Sequence, residues 1–265
     1  MLDPHSDFLD PDEPPPFEII DVEPACPTLL VCDHATNRIP KRLGGLGVSA
    51  VDLETHFALD IGAASVTRIM SASLGLPAVL SCYSRLVVDC NRRLDDPTAF
   101  PPYFEEIFVP GNQGLDHDDR QARADALYWT YHRAVRNQLT ALEAHAQAPA
   151  MLAIHSFTPQ LNGQQRPWEI GILWDKDPRI PLPLLEALRR EPGVVVGDNE
   201  PYSGKHPHDF TIDYHAEEAG LAHVSIEIRQ DLIATPGGAN RWAGILSEAL
   251  QPILADPGLY TNWTA

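Results

Sequence analysis

The sequence predicts an α/β layered sandwich. Short, wholly apolar runs recur along the chain without the polar alternation of a half-exposed strand, as expected of strands covered on both faces. Segments of helical periodicity alternate with them. The chain is also long and apolar enough to bury a substantial core, with 265 residues, 44% hydrophobic and 21% charged.

Each element has its own signal. Residues 1–18 are acidic and rich in proline, so they read as an extended arm, with 19–265 forming a single α/β domain. Thr28–Cys32 is a buried strand followed by turn chemistry. Residues 49–75 read as a helix that carries Leu59, Ala63, Val66, Ile69 and Met70 on its apolar side and stops at Gly75. Pro77–Ser81 and Ser84–Cys90 read as two further strands. Residues 95–115 are rich in Pro, Gly and Asp and read as a long surface loop, a candidate lid. Residues 116–147 form a long helix with Asp118 and Asp119 in its first turn, where the helix dipole favours acids. Strands follow at Met151–Ile154, Ile170–Trp174, Val194–Val196 and His223–Ile228, with helices at Leu182–Arg190 and Asn240–Leu254.

Composition narrows the function. A formal net charge of −18 repels a phosphate backbone and argues against nucleic acid as a partner. No apolar run is long enough to span a membrane, and the first residues lack the basic and apolar regions of a secretory signal, so a cytoplasmic protein is expected. Cys26, Cys32, Cys82 and Cys90 have no metal-ribbon spacing and read as small buried hydrophobes.

In open α/β sheets, functional residues gather at the carboxyl ends of the strands. His34 follows the first strand and His155 follows Met151–Ile154. A lone histidine in such a place is usually a hydrogen-bonded core residue, but two in the same setting can share a metal. Asp60 is a candidate third ligand if its helix turns a carboxylate back to the His34 loop; Asn37 is nearer in sequence but offers only a neutral amide oxygen. Glu227, between Ile226 and Ile228, is either salt-bridged to an arginine or a buried general acid/base. Arg85, Asn91 and Arg92 concentrate donors in an acidic chain. They either grip an anionic substrate group or pair with Asp89, Asp95 and Asp96.

The segments CDHATNRIP (32–40), HFALDIGA (56–63), SRLVVDCNR (84–92), AIHS (153–156), YSGKHPHDFTIDYHAEEAG (202–220) and VSIEIRQDL (224–232) resemble, in order, the N-formylglutamate amidohydrolase family. The Asp-x-Asn-Arg run and the later Ile-Glu are also similar to those of aspartoacylases and zinc carboxypeptidases. The resemblance implies a three-layer sandwich with a mixed, mostly parallel central sheet, of the zinc exopeptidase-like, phosphorylase/hydrolase-like kind. It implies one Zn2+ per chain, or another divalent metal, held by His34, Asp60 and His155. It implies Glu227 as general acid/base, His215 near the reacting carbonyl, and Arg85, Asn91 and Arg92 on the substrate's carboxylates. The implied reaction removes a formyl or small acyl group from an N-acyl amino acid, as in histidine catabolism. A carboxypeptidase-like or aspartoacylase-like hydrolase and a metal-free binding protein are the alternatives. The chain departs from the family where Asp33-His34-Ala35-Thr36 replaces Pro-His-Ser-Gly and Asp60-Ile61 replaces Asp-Trp, which marks a divergent subgroup. His117, His132, His206 and His208 receive no role, and the oligomeric state is not legible.

Overall fold

Alternating strand residues bury two different apolar cores, so the sheet must be covered on both faces. In the computed structural model, which describes residues 8–104, 107–205 and 209–264, this is what the chain does. Residues 1–7 of the arm, and His206 and His208, lie outside the described residues.

In chain order the elements are β1 (Phe17–Ile20), β2 (Thr28–Cys32), α1 (Ala50–Leu53), α2 (Ala63–Leu74), β3 (Ala78–Ser81) and a hairpin of β4 (Tyr103–Phe104) and β5 (Ile107–Phe108). Next come α3 (His117–Arg123) and α4 (Trp129–Leu142), joined through a π-helical turn at Ala124–Tyr128, then β6 (Ala150–Phe157) and a hairpin of β7 (Gln160–Leu161) and β8 (Gln164–Gln165). The chain continues with β9 (Ile170–Leu173), α5 (Pro181–Leu188), β10 (Val196–Asp198), α6 (Phe210–Ile212) running into a π-helical turn at Asp213–Glu217, β11 (His223–Arg229) and α7 (Pro236–Leu254).

Seven strands form one sheet in the order β1-β3-β2-β6-β11-β9-β10. The central four, β3, β2, β6 and β11, run parallel. β1 pairs antiparallel with β3, β9 antiparallel with β11, and β10 parallel with β9. Leu29, Val31, Met151 and Ala153 point to one face and pack with Tyr131, Val135 and Leu139 of α4. Leu30, Leu152, Ile154, Val224 and Ile226 point to the other and pack with Met70 of α2, Leu184 of α5, and Trp242 and Leu246 of α7. The result is the expected three-layer α/β sandwich with a mixed, mostly parallel sheet. Among the described residues, no helix is long and apolar enough to cross a membrane.

Several elements differ from the sequence reading. The helix expected over 49–75 is broken: α1 ends at Leu53 and α2 begins only at Ala63. Phe57 and Ala58 are buried in the intervening turn, whose Asp60 N–H donates to the His34 carbonyl at 2.9 Å. Asp60 is therefore presented by the turn before the helix. Gly62 makes that turn possible, with φ at +84° and no room for a side chain: a Cβ there would lie 2.4 Å from the Ile233 carbonyl oxygen.

Ser84–Cys90 is not a strand. Its backbone bonds turn inward instead, Val87 N–H to the Ser84 carbonyl and Asp89 N–H to the Ala99 carbonyl, while Leu86 and Val87 are buried as a loop. β6 runs past Ile154 to Phe157, so His155 lies inside the strand. β10 starts two residues later than read, and α7 starts four earlier, where Pro236 follows the Thr235 cap whose hydroxyl accepts from Gly238 N–H. The arm gives up Phe17 and Glu18 to β1, an edge position that tolerates the preceding prolines. All four cysteines are free thiols, with Cys26 half-buried and the other three buried.

Two glycines make opposite predictions. Gly62→Ala is expected to cost about 2 kcal/mol or more, because it meets both positive φ and a backbone oxygen. Gly244→Ala, inside α7 with open space where its Cβ would go, is expected to gain about 1 kcal/mol. Urea midpoints of the two variants would show the opposed signs.

Candidate metal centre and cavity

The parallel strands bring the polar residues together. Asp33 and His34 immediately follow β2, and His155 sits in β6 directly opposite Glu227 in the register with β11. Asp60 arrives from the turn before α2. Its Oδ2 lies 3.2 Å from His34 Nδ1 and 2.9 Å from His155 Nδ1. The three ligand atoms fall within 4.8 Å of one another, and all three residues are buried.

The outer nitrogens of both imidazoles face carboxylates. His34 Nε2 is 2.7 Å from Asp89 Oδ1, and His155 Nε2 is 3.4 Å from Asp33 Oδ2. Asp33 in turn accepts from the Thr211 hydroxyl at 3.0 Å. A carboxylate behind a histidine fixes its tautomer and orientation and raises its basicity, which is the usual arrangement around a metal-ligating imidazole. The two carboxylate–imidazole separations, 3.2 and 2.9 Å, are close to the about 3.3–3.4 Å between ligands that stand about 2.0–2.1 Å from a tetrahedral ion. The residues thus suit a divalent cation bound by His34 Nδ1, His155 Nδ1 and Asp60.

Charge tells the same story. Burial favours neutral imidazole in His34, but Asp89 and Asp60 outweigh it and hold its pKa above the ordinary value. In His155 the neighbouring carboxylates of Asp33 and Asp60 overcome burial by a wider margin. Burial also works against ionised Asp60 and Asp89, yet their cationic neighbours keep both carboxyls well below the usual range. The imidazolium protons balance the converging carboxylates, and a dication supplies the same compensation. Glu227 differs: it is only 8% exposed, and burial pushes its carboxyl up to about 7.

These groups line a cavity of about 550 Å³, together with Asn91, Arg92, His56, Tyr103, Leu161 and Tyr202. Of twelve buried side-chain polar atoms without a hydrogen-bond partner among the described residues, five belong to residues that line it: His56 Nδ1, Asp60 Oδ1, His155 Nε2, Ser156 Oγ and Glu227 Oε2. Buried polar atoms are normally satisfied, so such a cluster marks a place built for a ligand.

The structure sorts the other expected residues. Arg85 lines the cavity, but its Nε and Nη2 donate to Asp89 Oδ2 and its Nη1 lies 3.5 Å from Asp60 Oδ1, which is the structural pairing that the sequence left open. Arg92 and Asn91 line the cavity too. Asn91 is held by Thr211 N–H, which donates to its Oδ1, and Arg92 by the Tyr128 hydroxyl, which donates to its carbonyl. Glu227 is not paired with Arg229, whose guanidinium reaches Asp231.

His215 does not line the cavity. It is buried on the π-helical turn and stacks on His132, with Nε2 3.0 Å from His132 Nδ1. His132 Nε2 faces the Cys90 carbonyl at 3.0 Å, so that nitrogen carries the proton, Nδ1 accepts, and His215 donates. Burial lowers both imidazoles, to about 3 for His215 and about 4 for His132, and keeps the pair neutral. The two rings buttress the segment that carries Asn91 and Arg92.

Sequence reasoning missed Asp33 and Asp89 as backing carboxylates, and it missed His56, Tyr202 and Arg166. Arg166 donates to the Tyr202 hydroxyl at 3.0 Å and covers its ring at 4.8 Å. Asp33, His56, Asp89 and Tyr202 lie within the segments that carry the family resemblance, but nothing local marked their roles, and Arg166 lies in none of them.

Comparison with known proteins places this architecture. The family model described as N-formylglutamate amidohydrolase matches residues 26–234. The crystal structure of a gene product from Agrobacterium tumefaciens superposes with a TM-score of 0.89 at 37% identity, covering 94% of this chain and 98% of the other. An N-formylglutamate amidohydrolase from Ralstonia eutropha JMP134 shares the fold, with a TM-score of 0.64 at 20% identity over 90% of this chain and 97% of its own. No curated protein matches significantly.

Because raised imidazole pKa values mean protons must leave before the nitrogens can ligate, cation binding is expected to release protons at neutral pH and to weaken as pH falls. Calorimetric Zn2+ titrations in buffers of different ionisation enthalpy would measure the release. Asp89→Asn is expected to weaken binding about 10–100-fold, and a His34→Ala, His155→Ala double variant to abolish it.

Proposed function

The chain belongs to the N-formylglutamate amidohydrolase family, hydrolases of amide bonds, and from that premise we propose that it removes a formyl or other small acyl group from an N-acyl amino acid with a divalent metal, best Zn2+, at His34, Asp60 and His155. The observation that carries this reading is Glu227, a buried carboxyl beside His155 in register and facing the same cavity. Bound there, the metal would act as a Lewis acid on the amide carbonyl and make water more acidic.

The protein's own groups do the remaining work. Glu227 takes a proton from water as the water oxygen bonds to the carbonyl carbon. It passes that proton to the amide nitrogen as the carbon–nitrogen bond breaks, which releases the acyl acid and a free amine. A carboxyl that titrates near 7 can both accept and return a proton at neutral pH. Arg92 and Asn91 orient the carboxylate of the amino acid, and a planar guanidinium suits that task. Arg85 supports the reaction indirectly by fixing Asp89 behind His34 and by compensating Asp60. His215 and His132 hold the Cys90–Arg92 segment in place.

Glu227→Gln is expected to lower kcat by about 10²–10⁴-fold while Zn2+ stays bound in stoichiometric amount, as elemental analysis would report. In the wild type the ionised carboxylate begins the reaction, so kcat/KM for an N-formyl amino acid should rise as pH increases through about 7. A Glu227→Gln variant with normal turnover would remove Glu227 from the mechanism.

A further inference from the structure

The cavity's charge and walls identify the amino-acid half of the substrate, given the amide-hydrolase reading above. Among the described residues, four carboxylates line it, those of Asp60, Asp89, Asp209 and Glu227, against the guanidiniums of Arg85 and Arg92. His34 and His155 supply the balancing positive charge, through their own protons or through a divalent cation that displaces them. One substrate carboxylate can meet Arg92. A second meets no further guanidinium among the described lining residues, because Arg85 is engaged by Asp89 and Asp60, and it would share the cavity with the like-charged carboxylates of Asp209 and Glu227.

The outer walls are of the opposite character. Pro101 and Tyr103 on one side, Leu161 on the β7–β8 hairpin, and Leu173 at the end of β9 present apolar surface to the same space. Tyr103 is 60% exposed and pairs with Phe108, itself 43% exposed, at 5.1 Å between ring centroids. Tyr202 completes the wall, and its ring is held in place by Arg166. The loop that carries it is pinned by Asn199, whose Oδ1 accepts from both Trp174 and Gly204 N–H. Exposed aromatic surface at a cavity mouth marks a contact awaiting an apolar group. At about 550 Å³, the space greatly exceeds a formyl group plus a short acidic side chain.

We infer that the substrate is a monoanionic N-acyl amino acid whose apolar or aromatic side chain packs on Tyr103, Leu161 and Tyr202, rather than an N-acylated dicarboxylic amino acid. Tyr103 is then a specificity-determining residue. It reads the side chain and takes no part in bond cleavage.

The test compares N-formylphenylalanine, N-formylleucine, N-formylalanine and N-formylglutamate with the Zn2+-supplied protein, for turnover in the wild type and for equilibrium binding in Glu227→Gln. The phenylalanine and leucine compounds should exceed the glutamate compound by about tenfold or more in both. Tyr103→Ala should lose about tenfold in kcat/KM on N-formylphenylalanine, through KM, and little on N-formylalanine. Turnover that is best with N-formylglutamate would overturn the inference and leave the hydrolase reading intact, as would a Tyr103→Ala loss that is equal on all substrates. Tighter binding of the apolar compounds with no turnover of any would do the reverse. Neither binding nor turnover of any compound would overturn both.

Discussion

Asp60 Oδ2 lies 3.2 Å from one imidazole and 2.9 Å from another, at the meeting point of segments that are far apart in sequence. A buried carboxylate in such a place needs positive charge, and the two histidines provide it. They in turn need their outer nitrogens oriented, which brings in Asp89 and Asp33. Asp89 needs Arg85, and Asp33 takes a hydroxyl from Thr211. Each group is thus buried on condition that the next is present. Such a network is stable only when complete, and removing one member strands the others.

The sheet makes this chain of dependence geometrically possible. β2, β6 and β11 are parallel neighbours, so their carboxyl-terminal halves open on one edge and supply His34, His155 and Glu227 to the same cavity. Gly171 sits opposite Glu227 on β9, and the Glu200 carbonyl packs where its side chain would be, 2.1 Å from an ideal Cβ. That close approach draws in the loop carrying Tyr202. The backbone therefore sets the depth of the cavity beside the proposed acid/base, while the two short hairpins set its width.

How much of this was legible in the sequence follows from how local each signal is. The apolar runs of β2, β6 and β11 announce themselves, and a polar residue just after or inside such a run stands out, so His34, His155 and Glu227 could be picked individually. Asp60 was nominated correctly for the centre but with the wrong support: helical periodicity ran unbroken through 49–75, and nothing local revealed that a bond to the His34 carbonyl and the approach of Ile233 would unwind residues 54–62. Ser84–Cys90 misled for the same reason, since an apolar run does not say whether it is buried as strand or as loop. His215 belongs to a motif near the site in sequence, yet its partner is His132, on a helix 83 residues earlier. Asp33 and Asp89 were invisible as supports because their role exists only in relation to the far nitrogens of two rings.

The same dependence explains where the structure leaves polar atoms unsatisfied. Away from the cavity the unpartnered atoms are spread over the fold, and a buried charge such as the Arg123 guanidinium is engaged, reaching Asn112 and two carbonyls. At the cavity, Ser156 Oγ, His56 Nδ1 and Glu227 Oε2 have no hydrogen-bond partner. Packing could have closed this gap with apolar side chains at a gain in stability, as it did on the opposite face of the same strands, where Ile154, Ile226 and Ile228 are fully buried. The strands alternate, so residues 155 and 227 were free to take the same solution. That they carry an imidazole and a carboxyl instead places the exception to the folding rules on one face, at one edge, beside the one group of described residues able to hold a metal. A fold that concentrates unpartnered atoms of a titratable carboxyl, two imidazoles and a hydroxyl at this one cavity is organised around something that arrives from outside the chain.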